Sequence, residues 1–194
     1  MKIYNGDFLY ESTVLGSNGS VTCNKYFRFF GDSNTAVCDA TGQWSGLSGH
    51  CGQVEWHDQK TDFRVLIPEP LKDGWQMVFR GTPWNACTHF SLNVRNKENL
   101  LVSMDVRFNI YNDVNKVLFN SNIDSVWGKS FYSNYFPFKE LELFEMRIML
   151  QSNVFKFYVD EKYLDEFTLA QPAESVVKIA IIFEVTIDML KLIY

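Results

Sequence analysis

The sequence predicts an all-β protein: an antiparallel β-sandwich over about residues 65–194, preceded by a small disulfide-bonded β module. Three observations predict it. Apolar and polar residues alternate at period two through most of the second part, short turn-forming clusters punctuate these runs, and three of the four cysteines fall within residues 23–51. Alternation is the signature of half-buried strands, and many short strands at regular spacing make a sandwich or barrel. A Gly-, Ser-, Asn- and Thr-rich stretch as short as residues 16–51 cannot bury enough surface alone, so its clustered cysteines suggest covalent cross-links. No segment of useful length has the helical period, and there is no internal repeat.

The elements follow in order. Residues 1–56 form the cysteine-rich module, with turn signals at Gly31-Asp32-Ser33-Asn34 and Ala40-Thr41-Gly42 and one short apolar run, Tyr26-Phe27-Arg28-Phe29-Phe30. Residues 57–64, His57 to Arg64, are polar and read as a linker. The sandwich strands then carry Trp75, Met77 and Phe79; Phe90, Leu92 and Val94; Val102, Met104, Val106 and Phe108; Phe144, Met146 and Ile148; and Phe155, Phe157 and Val159. A nearly continuous apolar run, Val176 to Phe183, and the segment Ile187 to Tyr194 complete the set. Turns are expected at Asp73-Gly74, Asn96-Lys97, Asn112-Asp113 and Gln151-Ser152-Asn153.

Composition narrows the function classes. Of the 194 residues, 46% are hydrophobic and 16% aromatic, which suits pleated, half-buried strands. The formal net charge of -5 and the absence of any basic run argue against a nucleic-acid partner. No apolar run approaches the roughly 18–20 residues that insert across a bilayer. The opening MKIYNGDFLYESTVLG lacks the long apolar core of a signal peptide, so the chain is either cytosolic or met without its leader. The clustered cysteines and the N-glycosylation acceptor pattern Asn18-Gly19-Ser20 favour a secreted, extracellular protein.

Ser103, Asp105 and Arg107 lie two residues apart, so on a strand they share the outer face while Met104, Val106 and Phe108 enter the core. A polar row of this kind is either a plain solvated face or a surface for a polyhydroxylated ligand. The order of segments bears on the choice: Leu71-Lys72-Asp73-Gly74, Thr88 to Val94, Ser103 to Asn109, Val117 to Ser121, Trp127-Gly128-Lys129, Phe136-Pro137-Phe138, Phe144 to Ile148 and Phe155 to Asp160. From Pro68 to Tyr194 the chain resembles the galectin family. The resemblance implies a jelly-roll sandwich with a groove for β-galactosides on its concave sheet, and so a binding protein for glycans or glycoproteins. The family pattern is His-x-Asn-x-Arg on one strand, then an Asn, then Trp-x-x-Glu-x-Arg. Arg107, Asn120 and Trp127 match it, whereas Ser103, Asp105, Ser130 and Tyr132 stand at the other four positions. The resemblance therefore implies a lectin with Trp127 as the stacking surface, Arg107 and Asn120 as donors, and an altered specificity. Asp105 is also placed to pair with Arg107 and turn it from a ligand. A protein-interaction module with a vestigial groove is the alternative.

Cys23-Asn24-Lys25-Tyr26, Gly31, Cys38-Asp39-Ala40-Thr41-Gly42-Gln43-Trp44-Ser45 and Cys51 resemble a truncated sushi (complement control) module, matched over residues 16–51. The resemblance implies a Cys23–Cys51 bridge and leaves Cys38 without its usual partner. Cys38 then bridges to Cys87, pairs with another chain, or stays a buried thiol; the bridge to Cys87 is the expectation, because it leaves no odd cysteine. A metal site from Cys38, His50, Cys51 and His57 matches no standard zinc spacing, and no cofactor is called for. Cys87 and His89 alternate on one strand but lack an orienting third group, and no phosphate loop, nucleophile elbow or zinc-protease motif occurs, so no catalytic residues are expected.

Overall fold

The period-two segments form strands in a computed structural model that describes residues 1–194 and divides them into two units, Met1–Glu55 and Trp56–Tyr194. The first unit contains β1 (Gly6–Tyr10), β2 (Asn18–Cys23), β3 (Phe27–Ser33), β4 (Thr35–Cys38), β5 (Trp44–Ser45) and β6 (Ser48–Gln53). These make a four-stranded sheet in the order β1-β2-β4-β5 and a two-stranded sheet of β3 and β6. Residues before 16 take part, which the sequence pattern did not signal: the Phe8 ring of β1 packs edge-on to Trp44 at 4.9 Å. It also covers Gly19, where a Cβ would come within 2.2 Å of that ring, so a larger residue there would have to displace Phe8.

Cys23 and Cys51 are joined by a disulfide. The expected Cys38–Cys87 bridge is absent, and both are buried free thiols. Each has its own environment. The Cys38 thiol donates to the Thr13 carbonyl at 3.3 Å, and the Cys87 thiol to the Glu184 carbonyl at 3.4 Å, so each behaves as a small apolar side chain with a satisfied S–H.

The second unit is built from β7 (Glu55–Gln59), β8 (Phe63–Leu66), β9 (Gln76–Pro83), β10 (His89–Arg95), β11 (Leu100–Ile110), β12 (Asp113–Ile123), β13 (Val126–Trp127), β14 (Phe131–Tyr132), β15 (Phe144–Gln151), β16 (Val154–Val159), β17 (Lys162–Thr168), β18 (Lys178–Phe183) and β19 (Val185–Ile193). One sheet runs β13-β12-β11-β10-β18-β8, with β14 also on β12, and the other runs β17-β16-β15-β9-β19-β7. Residues 57–64 are thus not a linker. β7 and β8 are edge strands, and edge strands tolerate the polar residues that disguise them in sequence. Their apolar positions still pack, with Val65 buried and the Trp56 and Phe63 rings 6.1 Å apart.

The facing sides of the two sheets meet through phenylalanines. Phe79, Phe90, Phe119, Phe155 and Phe157 are fully buried. Phe119 packs on Phe131 at 5.3 Å and Phe157 at 5.0 Å, and Phe144 packs on Phe79 at 5.2 Å and Phe138 at 4.9 Å. Such ring pairs add to the gain from area burial alone. Four hairpins close on two-residue turns in which both residues have positive φ: Tyr111-Asn112, Asp124-Ser125, Ser152-Asn153 and Asp160-Glu161. That is the type I′ geometry whose twist matches paired strands. It fixes the β11–β12 register on which the site below depends. On β19 a register shift between Ile187 and Met189 lets Ile187, Leu190 and Leu192 all face the core despite their mixed spacing.

Candidate functional site

β11 carries the site. Its buried residues Met104 and Val106 hold the strand against the core, which turns Ser103, Asp105 and Arg107 outward. Pairing with β12 sets Asn120 opposite Ser103 and Leu118 opposite Asp105. β13 folds back so that Trp127 faces Asn122. Gly128 permits this return: its N–H donates to the Ser121 carbonyl at 2.9 Å, and a Cβ there would sit 2.9 Å from Ser121 Oγ. Ser103, Asp105, Arg107, Leu118, Asn120 and Trp127 line a cavity of about 250 Å³, with Trp127 60% exposed at its rim.

Five of the seven candidate residues therefore converge, and two do not line the cavity. Ser130 is exposed between β13 and β14. Tyr132 lies on β14 opposite Leu118, and its hydroxyl donates to Asp113 Oδ2 at 3.0 Å.

Asp113 was not legible as a site residue. It opens β12 directly after the Tyr111-Asn112 turn, opposite Ile110, and that hairpin returns its carboxylate to Arg107. Arg107 donates from Nε to Asp105 at 2.7 Å and from Nη1 to Asp113 at 2.5 Å, and its guanidinium lies 5.3 Å from the Tyr111 ring centre. Asp105 also accepts from Ser91 Oγ on β10 at 2.8 Å. Burial works against the Arg107 charge, but hydrogen bonds to Asp105 and Asp113 outweigh it and raise its pKa. The Arg107 hydrogen bond holds the Asp113 carboxyl below its ordinary value, while donation to Asp113 raises the Tyr132 phenol. Asp105 and Asp113 thus fix the guanidinium in place and use two of its five N–H donors.

The arrangement offers a flat aromatic surface, an amide at Asn120, the remaining Arg107 donors, and acceptor-only oxygens on Asp105. This set suits a ring with one apolar face and several hydroxyls. Elsewhere, burial first and the nearby Glu184 second push the Cys87 thiol up to about 12, which favours its protonated form. His89 instead packs at a tilt against Phe183, ring centres 4.3 Å apart, and meets the Thr88 hydroxyl through Nδ1. Cys51 is oxidised in its bridge, which removes a thiolate from the conceivable metal set.

A family profile described as galactoside-binding lectin matches residues 62–192. The chain belongs to the galactoside-binding lectin family. A sushi repeat (SCR repeat) profile matches residues 1–51, which extends the module to the segment that holds β1. Among lectin relatives, the beta-galactoside-binding lectin of Electrophorus electricus is 31% identical over 92 residues, 47% of this chain and 71% of that protein. The 32 kDa beta-galactoside-binding lectin of Haemonchus contortus is 22% identical over 132 residues, 66% of this chain and 46% of that protein, so the chain spans less than half of this relative. Solved galectins share the fold. Caenorhabditis elegans galectin LEC-6 superposes with a TM-score of 0.66 at 16% identity, covering 72% of this chain and 96% of that one. Toad ovary galectin, in complex with thio-digalactose, does so with a TM-score of 0.62 at 20% identity, covering 70% and 100%.

Proposed function

We propose that the protein is a secreted lectin whose groove on β11–β13 binds a galactoside-like sugar with a specificity of its own. The observation that carries this is Trp127, exposed at the rim of a cavity lined by Ser103, Asp105, Arg107 and Asn120. The apolar face of a pyranose stacks on the indole, and its hydroxyls meet the polar row. Asp105 accepts from hydroxyls, Asn120 donates and accepts, and the uncommitted N–H groups of Arg107 donate. Four departures from the galectin pattern, at Ser103, Asp105, Ser130 and Tyr132, set the specificity. Each hydrogen bond is worth about 0.5–1.5 kcal/mol net, and a millimolar sugar is held by only about -4 kcal/mol, so a few such changes decide which sugar binds. The disulfide and the sushi match support an extracellular setting.

One observation favours a second reading, a protein-binding module on the same fold: Arg107 is already held by two carboxylates, one of them also engaged by Tyr132. A glycan array on the chain, with Trp127→Ala beside it, separates the two. The lectin reading expects discrete glycan signals that fall at least about tenfold in the variant. Silence across the array from folded protein sinks it and leaves the protein-binding module.

A further inference from the structure

Resting on the sugar-binding reading, we infer that the groove continues into an anionic subsite, where Arg64, Arg95 and Lys178 receive a sulfate or carboxylate carried by the same glycan whose ring stacks on Trp127. Strand register places these cations. Ser103 faces Asn93 on β10, Asn93 faces Ala180 on β18, and Ala180 faces Arg64 on β8. One step along the same face, Arg95 is directly opposite Lys178. Directly paired residues share a face, as do residues two apart on one strand. All three cations therefore stand on the face that carries Ser103 and Asp105. The intervening residues confirm the phase: Leu92, Val94, Ile179, Ile181 and Val65 are buried on the other side. With strands about 4.8 Å apart, β18 lies roughly 10 Å from β11, within reach of a disaccharide.

Charge makes this end of the sheet unlike the Trp127 end. Arg107 has two carboxylates, whereas Arg64, Arg95 and Lys178 make no ion pair within the chain. Arg64 donates only to the Asp62 carbonyl, at 3.3 Å. Like charges placed directly opposite on neighbouring strands are unfavourable, yet Arg95 and Lys178 are so placed in a protein of net charge -5. Between the two ends, Asn93 Oδ1 has no hydrogen-bond partner. An anion at Arg95 and Lys178 relieves the repulsion and takes charge-assisted hydrogen bonds, whose planar fork at arginine suits carboxylate and sulfate oxygens. A glycan with a neutral ring at one end and an anionic substituent at the other satisfies both halves of the groove.

The test is titration calorimetry on the full chain with lactose, with lactose sulfated at the galactose, and with 3′- and 6′-sialyllactose, at low and high salt. The expected result is at least about tenfold tighter binding of a sulfated or sialylated form than of lactose at low salt, shrinking at high salt. Which form gains identifies the anion as sulfate or carboxylate. The double substitution Arg95→Gln with Lys178→Gln should erase the gain while lactose affinity and the thermal midpoint stay in place. Lactose binding with no gain for any anionic form overturns the subsite and leaves the lectin reading standing, as does a gain that survives the double substitution. No binding of any of these sugars overturns the subsite as a partner of a galactoside ring, and the glycan array alone then decides the lectin reading.

Discussion

The module of Met1–Glu55 buries only Val21, Phe30, Ala36, Cys38 and Cys51 among its apolar side chains, whereas the sandwich buries five phenylalanines completely. The module rests on its Cys23–Cys51 bridge, which closes a loop over a sequence separation of 28 and stabilises by about 3–4 kcal/mol in the chain-entropy picture. The sandwich rests on area removed from water and on ring-to-ring packing. One chain thus contains a part that depends on its redox surroundings and a part that does not.

Four changes break or sharpen this contrast, the largest first. Phe119→Ala removes a ring that touches Phe131, Phe157 and Phe167 and should cost the sandwich about 3–5 kcal/mol, read as a lowered urea midpoint, with the module's resistance to proteolysis unaffected. Replacing Cys23 and Cys51 by serine should do the reverse: the module loses about 3–4 kcal/mol and becomes cleavable, while the sandwich keeps its thermal midpoint. Equal shifts of both parts in either experiment would mean that they unfold as one. Asp105→Asn frees one Arg107 donor and should raise lactose affinity about three- to tenfold by calorimetry; unchanged or weaker binding would show that the Asp105–Arg107 pair does not limit the site. The smallest effect is on acid stability. Because Arg107 depresses the Asp113 pKa, the pair adds stability above about pH 4 that is lost as pH falls through the depressed value. Asp113→Asn should therefore flatten the acid end of the sandwich's stability profile, seen as urea midpoints that change less below pH 4 than in the parent.

Legibility in the sequence follows the same division. Where one face of a strand is buried, alternation is enforced by packing, so the inward positions of β9, β10, β11, β15 and β16 are readable, although Val78 and Ser91, which alternation assigns to the outer face, are buried as well. Edge strands feel that force on fewer positions. β7 and β8 consequently look like a polar linker, and β1, with Phe8 as its inward ring, carries no recognisable period. The Ser103-Asp105-Arg107 row is visible because period two makes it so. Asp113 and Ser91 are not, since they reach the row through a hairpin and a neighbouring strand, and no spacing along the chain records either approach. The expected Cys38–Cys87 bridge rested on parity, and parity carries no distance information; two satisfied, buried thiols are the outcome.

Strand order also has a consequence in time. β9 lies between β15 and β19, and Pro83 waits for Val185, roughly a hundred residues further along, before its ladder is complete. Pairings of such sequence distance are slow to form, because a long loop must close before any contact rewards it. The strands of the module pair only with one another, all within residues 6–53. As the chain emerges from the ribosome, its first part can be assembled and cross-linked while the second is still an incomplete sheet with open edges, and that interval is when the apolar strands most need protection from one another.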